Sequence, residues 1–152
     1  MPSPPKPLRF YAELYVERPP WVVWSFFSDL TRWNQWSPIC LESRLVEDGR
    51  LETGAVLEIR FSIGGIPVTV PAKLVYVKPA SAISWLGHAF GIRAIHTYRF
   101  RAQQTGTLIT NEEVFYEVAA PFNHLIAAWY RMSRLSFASL DGIKRVLEQE
   151  TD

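Results

Sequence analysis

The sequence predicts an α+β fold: a curved antiparallel sheet of about seven strands around one long C-terminal helix, with two short helices after the first strand. Two observations carry this. The last thirty or so residues, Pro121 to Glu150, hold the only long helical pattern in the chain. Apolar residues at Phe122, Ile126, Trp129, Leu140, Ile143 and Leu147 follow the three- and four-residue steps of one helix face. The small polar residues Ser133 and Ser136 sit midway along it, and Arg131, Arg134, Asp141 and Arg145 fall on the opposite side. Pro121 suits a first turn, where its missing N–H is no loss. A helix of about thirty residues spans roughly 45 Å, too long for one small core to surround, so a broad surface must lie against it. The second observation is that surface: the preceding chain supplies strand after strand, and adjacent antiparallel strands with helices on one side make an α+β layout.

The elements follow in order. Arg9 to Glu17 alternates, with Phe10, Ala12, Leu14 and Val16 on one side, as a half-buried strand does. Pro19-Pro20 stops it and starts a short apolar helix, Trp21 to Leu30. A second helical piece, Leu30 to Trp36, closes at Ser37-Pro38, and Ile39 to Val46 reads as a strand ending at an Asp48-Gly49 turn. Val56 to Ile63 and Ile66 to Val77 make the clearest hairpin, because Gly64-Gly65 tolerates the positive φ of a two-residue loop. That loop pairs Ile63 with Ile66, Phe61 with Val68 and Ile59 with Val70, six apolar residues expected on one buried face. Pro67 and Pro71 cannot donate ladder bonds, so their strand should lie at an edge or bulge. Ala82 to His88, Ile92 to Ala102 and Thr107 to Val118 are three further strands.

Bulk properties narrow the function. A chain of 152 residues is one domain by length, long enough for a core without staples. The expected division is a flexible proline-rich start, residues 1–7, and one domain over 8–150. Net charge is +1 with Lys and Arg scattered, which argues against a nucleic-acid surface. The one cysteine, Cys40, allows no internal disulfide and no cysteine-built metal site, and fits a reducing cytoplasm. No apolar run reaches the length of a membrane span, and Met1 to Pro7 has no hydrophobic signal region. The histidines, His88, His96 and His124, lack metal-ligand spacing. No phosphate loop or nucleophile elbow is present either. A cytoplasmic monomer or homodimer without metal or cofactor is the expectation.

The segment Val22 to Pro38, with Trp24, Phe27, Asp29 and Trp33-x-x-Trp36-Ser37-Pro38, resembles the polyketide cyclase/dehydrase-like branch of the START/Bet v 1 (SRPBCC) superfamily. Ile83-Ser84-Trp85, His96-x-Tyr98-x-Phe100, and Gly106-Thr107 followed by Glu113-x-Phe115 resemble its later strands. The likeness runs from about Leu8 to Leu147 and implies the family's helix-grip shape, with a hydrophobic cavity between sheet and helix. One departure is Tyr116-Glu117, where the family often has a glycine, so the bend into the last helix is expected to differ.

The last hairpin holds the most informative polar groups. Even pairing about Gln104-Thr105 sets Phe100 opposite Ile109, Tyr98 opposite Asn111 and His96 opposite Glu113, all on the concave face. Thr97, Arg99, Arg101, Thr110 and Glu112 take the solvent face, where Glu112 can offset the strand's arginines. A one-residue slip would destroy the pairing. His96 beside Glu113 reads as an internal hydrogen-bonded pair, as an anchor for a polar ligand head, or as an oriented general base. The aromatics Phe61, Tyr76, Trp85, Tyr98, Phe115 and Trp129 read as core packing or as walls for an apolar ligand; Trp33, Trp36 and Trp85 read more readily as structural. Ser133 and Ser136 leave space on the helix's buried face, unless a side chain such as Phe61 fills it.

Three functions are consistent with these residues. The first is a binding protein for a hydrophobic or aromatic small molecule, with His96, Tyr98, Asn111 and Glu113 at the polar end. The second is a cyclase- or aromatase-like enzyme, with His96 and Glu113 as the candidate catalytic residues moving protons. The third is a scaffold whose cavity is filled by its own side chains.

Overall fold

A computed structural model describes residues 7–119 and 122–150 of the chain. The strands are β1 (Leu8–Val16), β2 (Cys40–Leu45), β3 (Val56–Ile63), β4 (Ile66–Lys78), β5 (Ala82–Ala89), β6 (Ile92–Gln103) and β7 (Gly106–Glu117). They form one antiparallel sheet in the order β1-β7-β6-β5-β4-β3-β2. The helices are α1 (Pro20–Phe27), α2 (Trp33–Trp36), α3 (Asn123–Ser133) and α4 (Leu135–Gln149), with a 3₁₀ turn at Leu30–Arg32. Most of the proline-rich start, and Pro121, lie outside the described residues.

Local chemistry sets the boundaries. Pro20 opens α1 as its first residue, and Asp29 caps the 3₁₀ turn by accepting from the Thr31 N–H at 3.1 Å. In β1, Phe10, Ala12, Leu14 and Val16 turn inward, and Tyr11 and Glu13 are exposed. Gly64 and Gly65 both have positive φ, and the hairpin they close has the expected register, from Ile63↔Ile66 to Ile59↔Val70. Its tip overhangs the core, however. Ile63 and Ile66 are exposed, and Ile59 is the buried member of the set.

The proline-bearing strand is interior by order, between β3 and β5. Its pairing with β5 begins only at Ala72↔Gly87, so the half that carries Pro67 and Pro71 has a partner on one side alone. An edge exists locally, and the prolines sit on it. The irregularity in this strand comes later, between Leu74 and Tyr76.

The long helical pattern is interrupted once, at Arg134, whose φ of 50° and ψ of 39° are left-handed. The result is a bent pair, α3 then α4. α4 buries Leu135, Ser139, Leu140, Ile143 and Leu147 and packs on β1, β7 and α2. Arg131, Arg134, Asp141 and Arg145 stay exposed as expected. The principal core joins α1, α2, α4 and the sheet through Phe27, Trp33, Trp36, Trp85, Tyr98 and their aliphatic neighbours. On the convex face, Thr97 is buried and shares a hydrogen bond with Ser84 at 2.8 Å. Glu112 pairs with Arg9 at 2.6 Å, across the β1–β7 seam instead of with the β6 arginines.

One contact fixes how closely α4 approaches α2. A Cβ on Gly142 would sit 2.0 Å from the Trp36 carbonyl oxygen. Gly142→Ala gains about 1 kcal/mol of helix propensity. It must also push backbone from backbone, and overpacking of that kind costs about 1–3 kcal/mol or more. The steric term wins, so the variant should unfold at lower denaturant concentration with an unchanged slope. An unchanged or raised midpoint would show that α4 can slide away from Trp36 without loss.

Candidate ligand cavity

Between the concave face of the sheet and the C-terminal helices lies a cavity of about 370 Å³. It separates the principal core from a smaller cluster formed by Ala94, Phe115, Tyr130 and Leu135. Side chains of both clusters line it. The lining is mostly apolar and aromatic, and the volume falls within the range of small-molecule sites. Exposed Ile63, Phe90, Phe122 and Leu125 also border it, so its mouth is apolar as well.

Of the residues singled out from the sequence, Phe61, Trp85, His96, Tyr98, Asn111, Glu113, Phe115, Trp129 and Ser136 border the cavity. Trp33 and Trp36, read as structural, do so too, while also stacking within the core. Two residues do not. Tyr76 is exposed, because the register shift after Leu74 reverses which face the next side chain takes; it pairs with Ser84 on the convex side. Ser133 is exposed, because it ends α3 just before the left-handed Arg134. Its hydroxyl donates back to the Trp129 carbonyl at 2.6 Å. The space beside Ser136 remains open, and Phe61 is part of its wall.

Sequence reasoning missed Ser139 and Tyr130, which also border the cavity. Tyr130 lies four residues after Ile126 and was findable as part of that stripe. Ser139 becomes visible only when the helical phase is restarted at Leu135.

The polar end is built by the β6–β7 register, which places His96 opposite Glu113 and Tyr98 opposite Asn111. Asn111 is 2% exposed and has its amide fixed from both sides. Its Nδ2 donates to the Ser136 carbonyl at 3.0 Å, so its Oδ1 accepts from His96 Nε2–H at 2.5 Å. That leaves His96 Nδ1 facing Glu113 Oε2 at 3.6 Å, an ion-pair separation when the ring is protonated. The Tyr130 hydroxyl donates to the same carboxylate oxygen. The His96 ring is stacked against Tyr98, with centroids 5.0 Å apart, and tilted against Trp85 at 4.8 Å.

Burial governs the other titratable groups. It pushes the Tyr98 and Tyr130 phenols well above their usual 10.0, and the nearby Glu113 charge pushes both further. Burial also pushes the Cys40 thiol up to about 11, so it is a poor nucleophile. Among the described residues no three His, Cys, Asp or Glu side chains come together as a metal-binding group. No helix among them is long and apolar enough to cross a membrane.

A family model described as polyketide cyclase / dehydrase and lipid transport matches residues 7–148. The chain belongs to that family. Among solved structures it is similar to the Zhui aromatase/cyclase from a Streptomyces, at 15% identity and TM-score 0.80 over 96% of each chain. It is similar to a START superfamily protein from Mycobacterium smegmatis, at 15% identity and TM-score 0.73 over 94% of this chain and 99% of that one. It also matches the di-domain ARO/CYC StfQ of the steffimycin biosynthetic pathway, at 13% identity and TM-score 0.76 over 95% of this chain and 52% of that one. At these identities the likeness establishes the helix-grip fold. No curated protein sequence matches.

The two buried phenols generate a pH prediction. Folding holds their protons more tightly than the unfolded chain does. Their contribution is therefore fully present below the ordinary phenol value of 10.0 and is lost as pH rises above it. Thermal midpoints should fall above about that pH, on top of a loss from the buried Cys40 thiol that begins nearer its ordinary 9.0. Tyr98→Phe/Tyr130→Phe should flatten the fall. A decline of equal steepness in the double variant would mean that other groups drive alkaline unfolding.

Proposed function

We propose that this chain binds a hydrophobic or aromatic small molecule in the cavity between the sheet and the C-terminal helices. The cavity itself is the observation that carries this reading. A void of about 370 Å³ walled by Trp33, Trp36, Ile59, Phe61, Trp85 and Phe115 is costly to leave in a protein interior. An apolar ligand recovers contact and buried area, at roughly 25 cal/mol per Å² before the costs of association. The polar cluster at one end gives such a ligand a direction. Native mass spectrometry on protein purified gently from its own host, then denaturing extraction, tests the reading. One co-purifying hydrophobic species, or a defined class of them, is expected. A clean mass, together with no uptake of added apolar probes, would overturn it.

A second reading is supported by one specific feature, the oriented His96. Asn111 holds the ring by Nε2 and so presents Nδ1 toward Glu113. Placed in this way, His96 can take up a proton that Glu113 removes from a bound molecule. The family includes cyclases and dehydrases, and one protein of similar structure is an aromatase/cyclase. Proton transfer on a poly-carbonyl substrate is therefore the enzymatic alternative. His96→Ala separates the two. A binding protein should lose affinity, by roughly tenfold, because Asn111 and Glu113 lose the ring that holds them in place at the polar end. An enzyme should keep binding and lose turnover by roughly 10²–10⁴.

A further inference from the structure

We infer that the cavity selects a ligand carrying a neutral hydroxyl group, which donates to Glu113, and rejects ligands whose buried head is a carboxylate or phosphate. This rests on the binding function proposed above and specifies the chemistry of its ligand. Hydrogen-bonding capacity and charge at the polar end are what carry it.

Among the described residues that border the cavity, none is a lysine or an arginine. The groups there able to carry a full charge near neutral pH are His96 and Glu113. With Glu113 ionised, the pair is net neutral when His96 is protonated and net negative when it is not. Neither state offers an anion a compensating charge, and an unpaired anion in an apolar cavity is strongly disfavoured.

Most donors at this end are already committed to protein acceptors. His96 gives Nε2–H to Asn111, Asn111 gives an N–H to the Ser136 carbonyl, and Tyr130 gives its O–H to Glu113. The Ser139 hydroxyl donates to the Leu135 carbonyl at 2.9 Å and is the side-chain hydrogen-bond partner of the buried Tyr98 hydroxyl. Glu113 is different. Its Oε2 accepts from Tyr130 and faces His96, whereas its Oε1 has no partner among the described residues. The side chain is 16% exposed and borders the cavity. The strongest unused hydrogen-bonding group at the polar end is therefore a carboxylate acceptor, and it calls for a donor. Ser136 borders the same space, and its hydroxyl, which makes no other described contact, can serve the hydroxyl oxygen. A phenol or an alicyclic alcohol on a flat apolar body satisfies both groups and the aromatic walls.

The test is fluorescence titration at neutral pH with four probes of one shape: phenanthrene, phenanthrol, methoxyphenanthrene and phenanthrene carboxylate, substituted at the same ring carbon. In the native protein phenanthrol should bind roughly tenfold or more tightly than the methyl ether, which has the oxygen but no proton to give. It should exceed the carboxylate by at least as much. In Glu113→Gln, the advantage of phenanthrol over the carboxylate, each measured against phenanthrene in the same variant, should shrink several-fold. Equal binding of phenanthrol and its ether, carboxylate binding as tight as phenanthrol, or an unaltered preference in Glu113→Gln would each overturn the inference. The ether comparison decides alone should that variant not fold. Phenanthrene that binds without any head-group preference sinks this inference and leaves the binding function standing. Failure of all four probes to bind sinks this inference, and together with a clean native mass it sinks the binding function too.

Discussion

The concave side is arranged around the place where α4 runs against Trp36. There helix backbone meets helix backbone with no room for a Cβ at Gly142. That approach clamps α4 to α2, and α2 in turn wedges Trp33 and Trp36 among Phe27, Trp85 and Tyr98. One end of the hollow is thereby filled with rings. Because α4 is fixed there, the chain cannot redistribute its side chains evenly along the sheet. The void lies beyond these rings, and Trp33, Trp36, Trp85 and Tyr98 form part of its wall. Interiors pack to near-crystalline density, and a gap this size persists only where rigid elements hold its walls apart.

The break at Arg134 is the complement of that clamp. An arginine at φ 50° is strained relative to a right-handed residue, so tertiary structure must hold it there. Its effect is to let α3 leave the line of α4 and form the far wall, through Ile126, Trp129 and Tyr130. Tyr130 ties that wall to the sheet by stacking on Phe10 at 4.3 Å and by donating to Glu113. Asn111 ties the first turn of α4 to the same pair of strands. The polar end of the cavity is thus also where helix and sheet are joined. A residue there serves position first, and only the valence left over is available to a ligand.

The parts of this arrangement legible in the sequence are those set by local rules of short range. A two-residue glycine loop leaves one register for β3 and β4, and a four-residue turn centred on Gln104-Thr105 sets His96 against Glu113. Alternation in β1 and the apolar stripe of α4 are equally direct. The errors have two physical sources. Tyr76 and Ser133 were misplaced by backbone irregularities, a bulge and a left-handed residue, that no glycine or proline marks. Ile63 and Ile66 have the right register but are left exposed by the other described residues. Periodicity gives the face on which a side chain lies, and it cannot say whether anything lies opposite.

The likeness to aromatase/cyclase and START structures establishes the fold and leaves the chemistry of the interior to this chain's own residues. At 13–15% identity that likeness carries the fold alone. The cavity lining is economical in polar groups. One histidine is oriented by one amide, two phenols keep their protons through burial, and a single carboxylate has one oxygen committed and one not. Binding and proton transfer use that carboxylate differently. A ligand that donates to Oε1 is anchored by it, and a substrate whose proton Glu113 removes is activated by it. The geometry is common to both, and the acidity of the group presented to Glu113 decides between them. A hydroxyl on an otherwise inert ring is held and released unchanged. A proton made acidic by neighbouring carbonyls would move.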